Sequence, residues 1–138
     1  MLKLAVLSAL VLGVATPATA AEVTGVWLTP SRSAHIEIRH CGAGLCGKLI
    51  SASQPKSNPS YLDVHNKNPD LRNRQVIGAT LLEGFTGGPT RWTGGHIYNP
   101  GDGNTYHGMM TLLDSDHLAV KGCAMIVLCK SQTWTRIK

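Results

Sequence analysis

The chain has 138 residues, with 13 Lys and Arg against 8 Asp and Glu and a formal net charge of +5. That length suits one domain. The basic surplus is mild and spread along the chain, with no run of Lys and Arg, so it gives no nucleic-acid patch.

Residues 1–20 read as a secretory signal peptide. Lys3 gives a positive start, Leu4 to Val14 is apolar, and Ala18-Thr19-Ala20 is a small-x-small cleavage site. The apolar run is too short to span a bilayer comfortably, and no later run is apolar enough to cross one. No Cys follows the cleavage site, which argues against a lipoprotein. Lys3 is the one basic residue removed, so the mature chain keeps 12 basic against 8 acidic residues, a net +4. Residues 21–138 are expected to form a single domain in the periplasm or outside the cell.

Gly25 to Leu28 is a short first strand, and Pro30 to Ser33 a turn. Ala34 to His40 alternates, with Ala34, Ile36 and Ile38 on one face and His35, Glu37 and Arg39 on the other, the pattern of a half-buried strand. Cys41 to Cys46 is a Gly-rich hairpin tip, and Gly47 to Ala52 returns as the third strand. Ser53 to Gln75 holds Pro55, Pro59 and Pro69 and little apolar content. It is too long for an ordinary connection, which implies a functional, self-packed or mobile loop. A helical turn is expected near Asp70 to Asn73. Val76 to Glu83 reads as the fourth strand, and Gly84 to Pro89 as a loop around the only Phe, Phe85.

Thr90 to Leu113 is the centre of the pattern. It reads as a long hairpin of strands five and six around Pro100-Gly101-Asp102-Gly103, because Pro and paired Gly supply turn geometry and Trp, Ile, Tyr, Thr and Met suit pleated strands. Asp114 to Asp116 turns the chain. His117 to Gly122 is the seventh strand, and Ser131 to Ile137 the last.

The four Cys lie in an exported chain, so they are expected to be oxidised. Three connectivities are possible. The local pairs Cys41–Cys46 and Cys123–Cys129 are favoured because each brackets a tight loop. A four-cysteine zinc site has neither the CxxC spacing nor a reducing compartment behind it.

Eight short antiparallel strands with no confident long helix point to an all-β sandwich or an up-and-down barrel. The chain ends favour the barrel, because closure pairs the last strand with the first and removes open edges. Trp134 and Arg136 share one face of their strand. An Arg136 laid across Trp27 at the closed end gains cation–π energy of order 1 kcal/mol.

The segments CGAGLCGKL, WTGGHIYNPGDGNTY, VKGC and CKSQTWTRI resemble the signatures of a bacterial secreted family catalogued as domain of unknown function 2147. The resemblance covers nearly all of residues 21–138. It implies a small barrel similar to lipocalins and streptavidin, with Gly-x-Trp opening the chain and an Arg in the closing strand. Gln75 stands where many relatives carry Pro. The family implies a fold and a compartment but no activity.

Small eight-stranded barrels are either filled by side chains or hold one small ligand. A hollow is expected to be lined by Ile36, Ile38, Leu49, Met109, Leu112 and Val120, with Arg72 and Arg74 offering an anion site at its mouth. A packed core with a working surface on the long loop is the competing expectation. His96 and His107 sit on facing strands of the central hairpin at near equal distances from the turn, so a metal-binding protein or enzyme that uses them is a further expectation, although no third metal ligand is evident. Asn66-x-Asn68-x-Asp70 lacks the Gly and closing Glu of a calcium loop, so Asx turns account for it. Asn99 and Asp102 are expected to bond their own turn. No G-x-S-x-G, H-E-x-x-H or phosphate loop is present. The sequence therefore predicts neither a cofactor nor a catalytic set. It predicts a carrier of a small apolar or amphipathic ligand and leaves the oligomeric state open.

Overall fold

A computed structural model describes residues 9–14, 22–31, 33–125 and 127–138. The cleavage site expected at Ala18-Thr19-Ala20 lies outside the described residues. Eight strands form one closed antiparallel barrel in sequence order. They are β1 Gly25–Leu28, β2 His35–Cys41, β3 Gly44–Ser51, β4 Thr80–Gly87, β5 Arg91–Asn99, β6 Asn104–Asp114, β7 His117–Cys123 and β8 Cys129–Arg136. No described helix is long and apolar enough to cross a membrane.

Closure is carried by the two chain ends. Trp27 stands opposite Arg136, and Leu28 opposite Thr135. The Arg136 guanidinium lies 4.4 Å from the centre of the Trp27 ring. It also donates from Nε to the Ser115 carbonyl at 2.6 Å and from Nη1 to the Thr24 carbonyl at 2.9 Å, and from Nη2 to the Glu22 carbonyl. One planar fork thus ties β8 to the segment before β1 and to the β6–β7 turn, which a point-charge Lys could not reproduce. Trp27 is fully buried and donates its indole N–H to the Val23 carbonyl at 2.9 Å. Removing that side chain from water is worth roughly 2–3 kcal/mol.

The core follows the two-residue alternation of each strand. Ile36 and Ile38 of β2 and Leu45 and Leu49 of β3 point inward, with Met110 and Leu112 of β6, Leu118 and Val120 of β7, and Trp134 of β8. The two local disulfides are present. Cys41–Cys46 joins β2 to β3, and Cys123–Cys129 brackets the β7–β8 turn.

The fourth strand lies four residues later than the sequence pattern suggests. Thr80–Gly87 is the strand, while Val76 belongs to the end of the long loop. Phe85, expected in a loop, is fully buried inside the barrel. Gly84 takes a left-handed backbone (φ 73°) within the strand, a conformation that a side chain would oppose. The Phe85 ring then lies over Gly95 and Gly108, where an added Cβ would come within 2.4 Å and 2.6 Å of it. Two glycines inside the predicted strands five and six, Gly95 and Gly108, thus make room for the ring.

Candidate functional site

In this up-and-down order the β1–β2, β3–β4, β5–β6 and β7–β8 connections gather at one end of the barrel. Between them opens a cavity of about 510 Å³. Its wall takes Ile36 from β2, Leu49 from β3, Leu82 from β4, Ile97 from β5, Val120 from β7 and Trp134 from β8. Small residues widen it: Ala34 and Ala52 line the mouth side, and Gly122 leaves space between Ile97 and Tyr106. At the opposite end Trp27, Phe85, Met110, Leu112 and Leu118 fill the barrel, so the hollow is open at one end only.

The rim is polar. Trp134 donates its indole N–H to Gln132 Oε1 at 3.1 Å, and Gln132 donates to Ser31 Oγ at 3.4 Å. Tyr106 donates its hydroxyl to Asp102, whose other oxygen accepts the Asn104 amide at 2.8 Å. Burial opposes the Asp102 charge, but these two donors outweigh it and hold the carboxyl below its usual range. Lys130 shares the inner face of β8 with Gln132 and Trp134 and has no side-chain partner among the described residues.

The Ser53–Gln75 loop packs on the β5–β6 hairpin. Its anchor is Asp63, which is 1% exposed. The carboxylate accepts from Arg74 Nε at 2.8 Å, from Asn66 Nδ2 at 2.8 Å and from the Tyr98 hydroxyl at 2.6 Å. A buried carboxylate is tolerable because each oxygen has a donor and a cation lies beside it. Arg74 also stands over the Tyr98 ring at 5.6 Å. Burial first, and then the bond to Asp63, pushes the Tyr98 hydroxyl up to about 12. Gly103 fits against the loop so closely that a Cβ would lie 1.8 Å from the His65 carbonyl oxygen. Lys67 donates to Asn104 across the same seam. Tyr61, at the base of the loop, is buried and lines the cavity.

Ile36, Leu49 and Val120 therefore line the hollow. Ile38 and Leu112 are buried but stand outside its lining, toward the filled end. Met109 points outward: Gly108, Met110 and Leu112 are the buried residues of β6, so strand alternation puts Met109 on the other face. Arg72 and Arg74, expected at the mouth, are not among the residues that line the cavity. Arg72 donates to the Asn66 carbonyl at 2.8 Å, and Arg74 is held by Asp63. Their charge and donors stabilise the loop itself. Among the cavity residues missed by the sequence reading are Tyr61, Leu82, Ile97, Tyr98, Tyr106, Lys130 and Gln132. Continuing the inward alternation of Trp134 to Gln132 and Lys130 would have found two of them.

Asn68 Oδ1 accepts the Asp70 amide at 3.0 Å and caps a single 3-10 turn, Pro69–Leu71. Asn66 Oδ1 accepts the Asn68 amide at 2.8 Å, and Asn99 Oδ1 accepts the Gly101 amide at 2.9 Å. These side chains thus serve local turns. His96 and His107 stand opposite each other on the outer wall, with ring centres 5.5 Å apart. Among the described residues, no three or more His, Cys, Asp or Glu side chains are grouped to hold a metal.

Residues 25–136 match the family model described as "Uncharacterized protein conserved in bacteria (DUF2147)". The chain belongs to this family. A solved structure with the same architecture is protein HP1028 from the human pathogen Helicobacter pylori, described as belonging to the lipocalin family. The two share 26% sequence identity and a TM-score of 0.74, over 86% of this chain and 84% of that one. No curated protein matches. The family carries no assigned activity, so any functional reading depends on the hollow and its rim.

Proposed function

We propose that this protein binds and carries a small amphipathic molecule. The apolar part would lie in the hollow against Ile36, Leu49, Leu82, Ile97, Val120 and Trp134. The polar end would meet Tyr106, Gln132 and Lys130 at the rim. The observation that carries this reading is the 510 Å³ cavity, open at one end and walled by aliphatic and aromatic side chains. Ligand sites of small molecules span about 300–1,000 Å³ and combine such walls with a few placed polar groups. A packed interior, the alternative expectation, would leave no such space. The lipocalin-family neighbour supports the same reading by analogy of fold.

The working compartment in this reading is the periplasm or another oxidising space outside the cytoplasm. Two disulfides support it, as does the signal-peptide pattern of residues 1–20, with residues 21–138 as the mature domain. The test is native mass spectrometry of protein purified from its own cell envelope, followed by titration with a long-chain fatty acid and a solvatochromic dye. A co-purifying small molecule, or saturable one-to-one binding, is the expected result. Consistently ligand-free protein that binds neither probe would refute the reading.

A further inference from the structure

The β7–β8 turn projects three large apolar side chains into water. Met125 is 62% exposed, Val127 83% and Leu128 57%. Isolated exposed apolar residues are ordinary, but several together on one tip mark a contact surface. The tip is a constrained one. The Cys123–Cys129 disulfide closes its base, and Ala124 donates its amide to the Leu128 carbonyl at 2.9 Å. The disulfide and this hydrogen bond close the base of the turn beneath the exposed side chains.

Two further features say what the tip meets. From His117 to Lys138 there is no acidic residue, and Lys121 and Lys130 flank the turn. Lys130 has no side-chain partner among the described residues. Leu128 also lines the cavity, so the tip is continuous with the mouth. The apolar area on three side chains is a few hundred Å², well short of the roughly 800 Å² per partner of a stable protein interface. A small apolar wedge beside two lysines suits an anionic bilayer surface, where the wedge enters the headgroup boundary and the lysines meet lipid phosphates.

We propose that the β7–β8 tip docks this protein on an anionic lipid surface and turns the cavity mouth toward the acyl layer. The docking is argued from the tip alone; the ligand exchange it permits rests on the carrier reading. In that arrangement an amphipathic molecule passes between bilayer and hollow without crossing open water.

The test is vesicle flotation of the purified oxidised protein. The vesicles are phosphatidylcholine alone, or equal parts phosphatidylcholine and phosphatidylglycerol. Dye binding is measured separately in lipid-free solution. The wild type is expected to float with the anionic vesicles and stay below with the neutral ones. Met125→Ser with Val127→Ser should lower the bound fraction about tenfold or more, and Lys130→Gln should weaken it to a lesser degree. Met125 and Val127 lie outside the cavity lining, so dye binding should match the wild type. Wild type that stays lipid-free, or a double variant that floats as well as wild type, overturns the docking. A wild-type dimer in sedimentation that the double variant loses overturns it too, and gives the tip to a second copy. Flotation without dye binding in either protein upholds the docking and counts against the carrier reading alone.

Discussion

Asp63→Asn should release the long loop while leaving the barrel intact. The carboxylate accepts three hydrogen bonds, from Arg74, Asn66 and Tyr98. An amide of the same shape can still accept from Tyr98. Its NH2 group then faces two donors, Arg74 Nε and Asn66 Nδ2, which lose their acceptor. Bonds to charged groups contribute about 1.5–3 kcal/mol each, and an unmet buried donor costs about 1–3 kcal/mol. Arg74 is 34% exposed and recovers part of its loss from water. A local cost of about 3 kcal/mol follows, or about a hundredfold in loop opening. The assay is native-state hydrogen exchange. The Asp63 amide donates to the Arg74 carbonyl, and the Val76 amide to the Tyr61 carbonyl, both at 2.9 Å. Those two amides should lose about a hundredfold protection, while amides between β6 and β7 keep theirs. Unchanged exchange at Asp63 and Val76 would refute the anchoring role. Equal loss in β6 and β7 would show that loop and barrel open as one.

Three further outcomes follow from the same geometry. Tyr98 keeps its proton in the folded state to about 12, above the usual 10. Its contribution is therefore full below pH 10 and is lost as pH rises through about 12. Absorbance titration of tyrosinate should lose its step near 12 in Tyr98→Phe, while Tyr106, raised by its bond to Asp102, still titrates late; an unchanged step near 12 in that variant would contradict the assignment. Gly95→Ala should destabilise by about 1–3 kcal/mol through overpacking against the Phe85 ring, with part of the loss recovered when Phe85→Leu is added. A neutral Gly95→Ala in urea unfolding would place the ring elsewhere. Arg136→Lys should cost about 2–3 kcal/mol, because an ammonium cannot reach three carbonyls and cover Trp27 together. An unchanged urea midpoint would show that closure does not depend on the fork.

The barrel was legible in the sequence because strand alternation and turn chemistry agree along most of the chain. β1 occupies the predicted Gly25–Leu28, and the central hairpin turns between Asn99 and Asn104 as its Pro and Gly residues require. The opening Trp27 and closing Arg136 were readable as a pair from topology and strand parity. Phe85 was not, because a strand broken by Gly84 and Gly87 looks like a loop until Gly95 and Gly108 are known to lie beneath the ring. Met109 failed on parity alone: it cannot share a face with Leu112 in a regular strand, whereas Met110 does. The fate of Arg74 depends on Asp63 and Tyr98, 11 and 35 residues apart from their partners in sequence. No local pattern brings such groups together. Gln132 and Lys130 follow from strand parity with Trp134, but the rest of the rim was missed for the same reason as Arg74, since separate connections assemble it.

The central claim is that the hollow holds a guest. Ala34 and Ala52 line it with small side chains, so Ala34→Phe and Ala52→Phe should fill space rather than displace the core. The most direct measurement is calorimetric titration of a long-chain fatty acid into wild type and into each variant. Saturable wild-type binding that falls at least about tenfold in both variants, with unfolding midpoints near wild type, is the predicted result. Equal binding by all three proteins would mean that the guest sits somewhere other than the barrel.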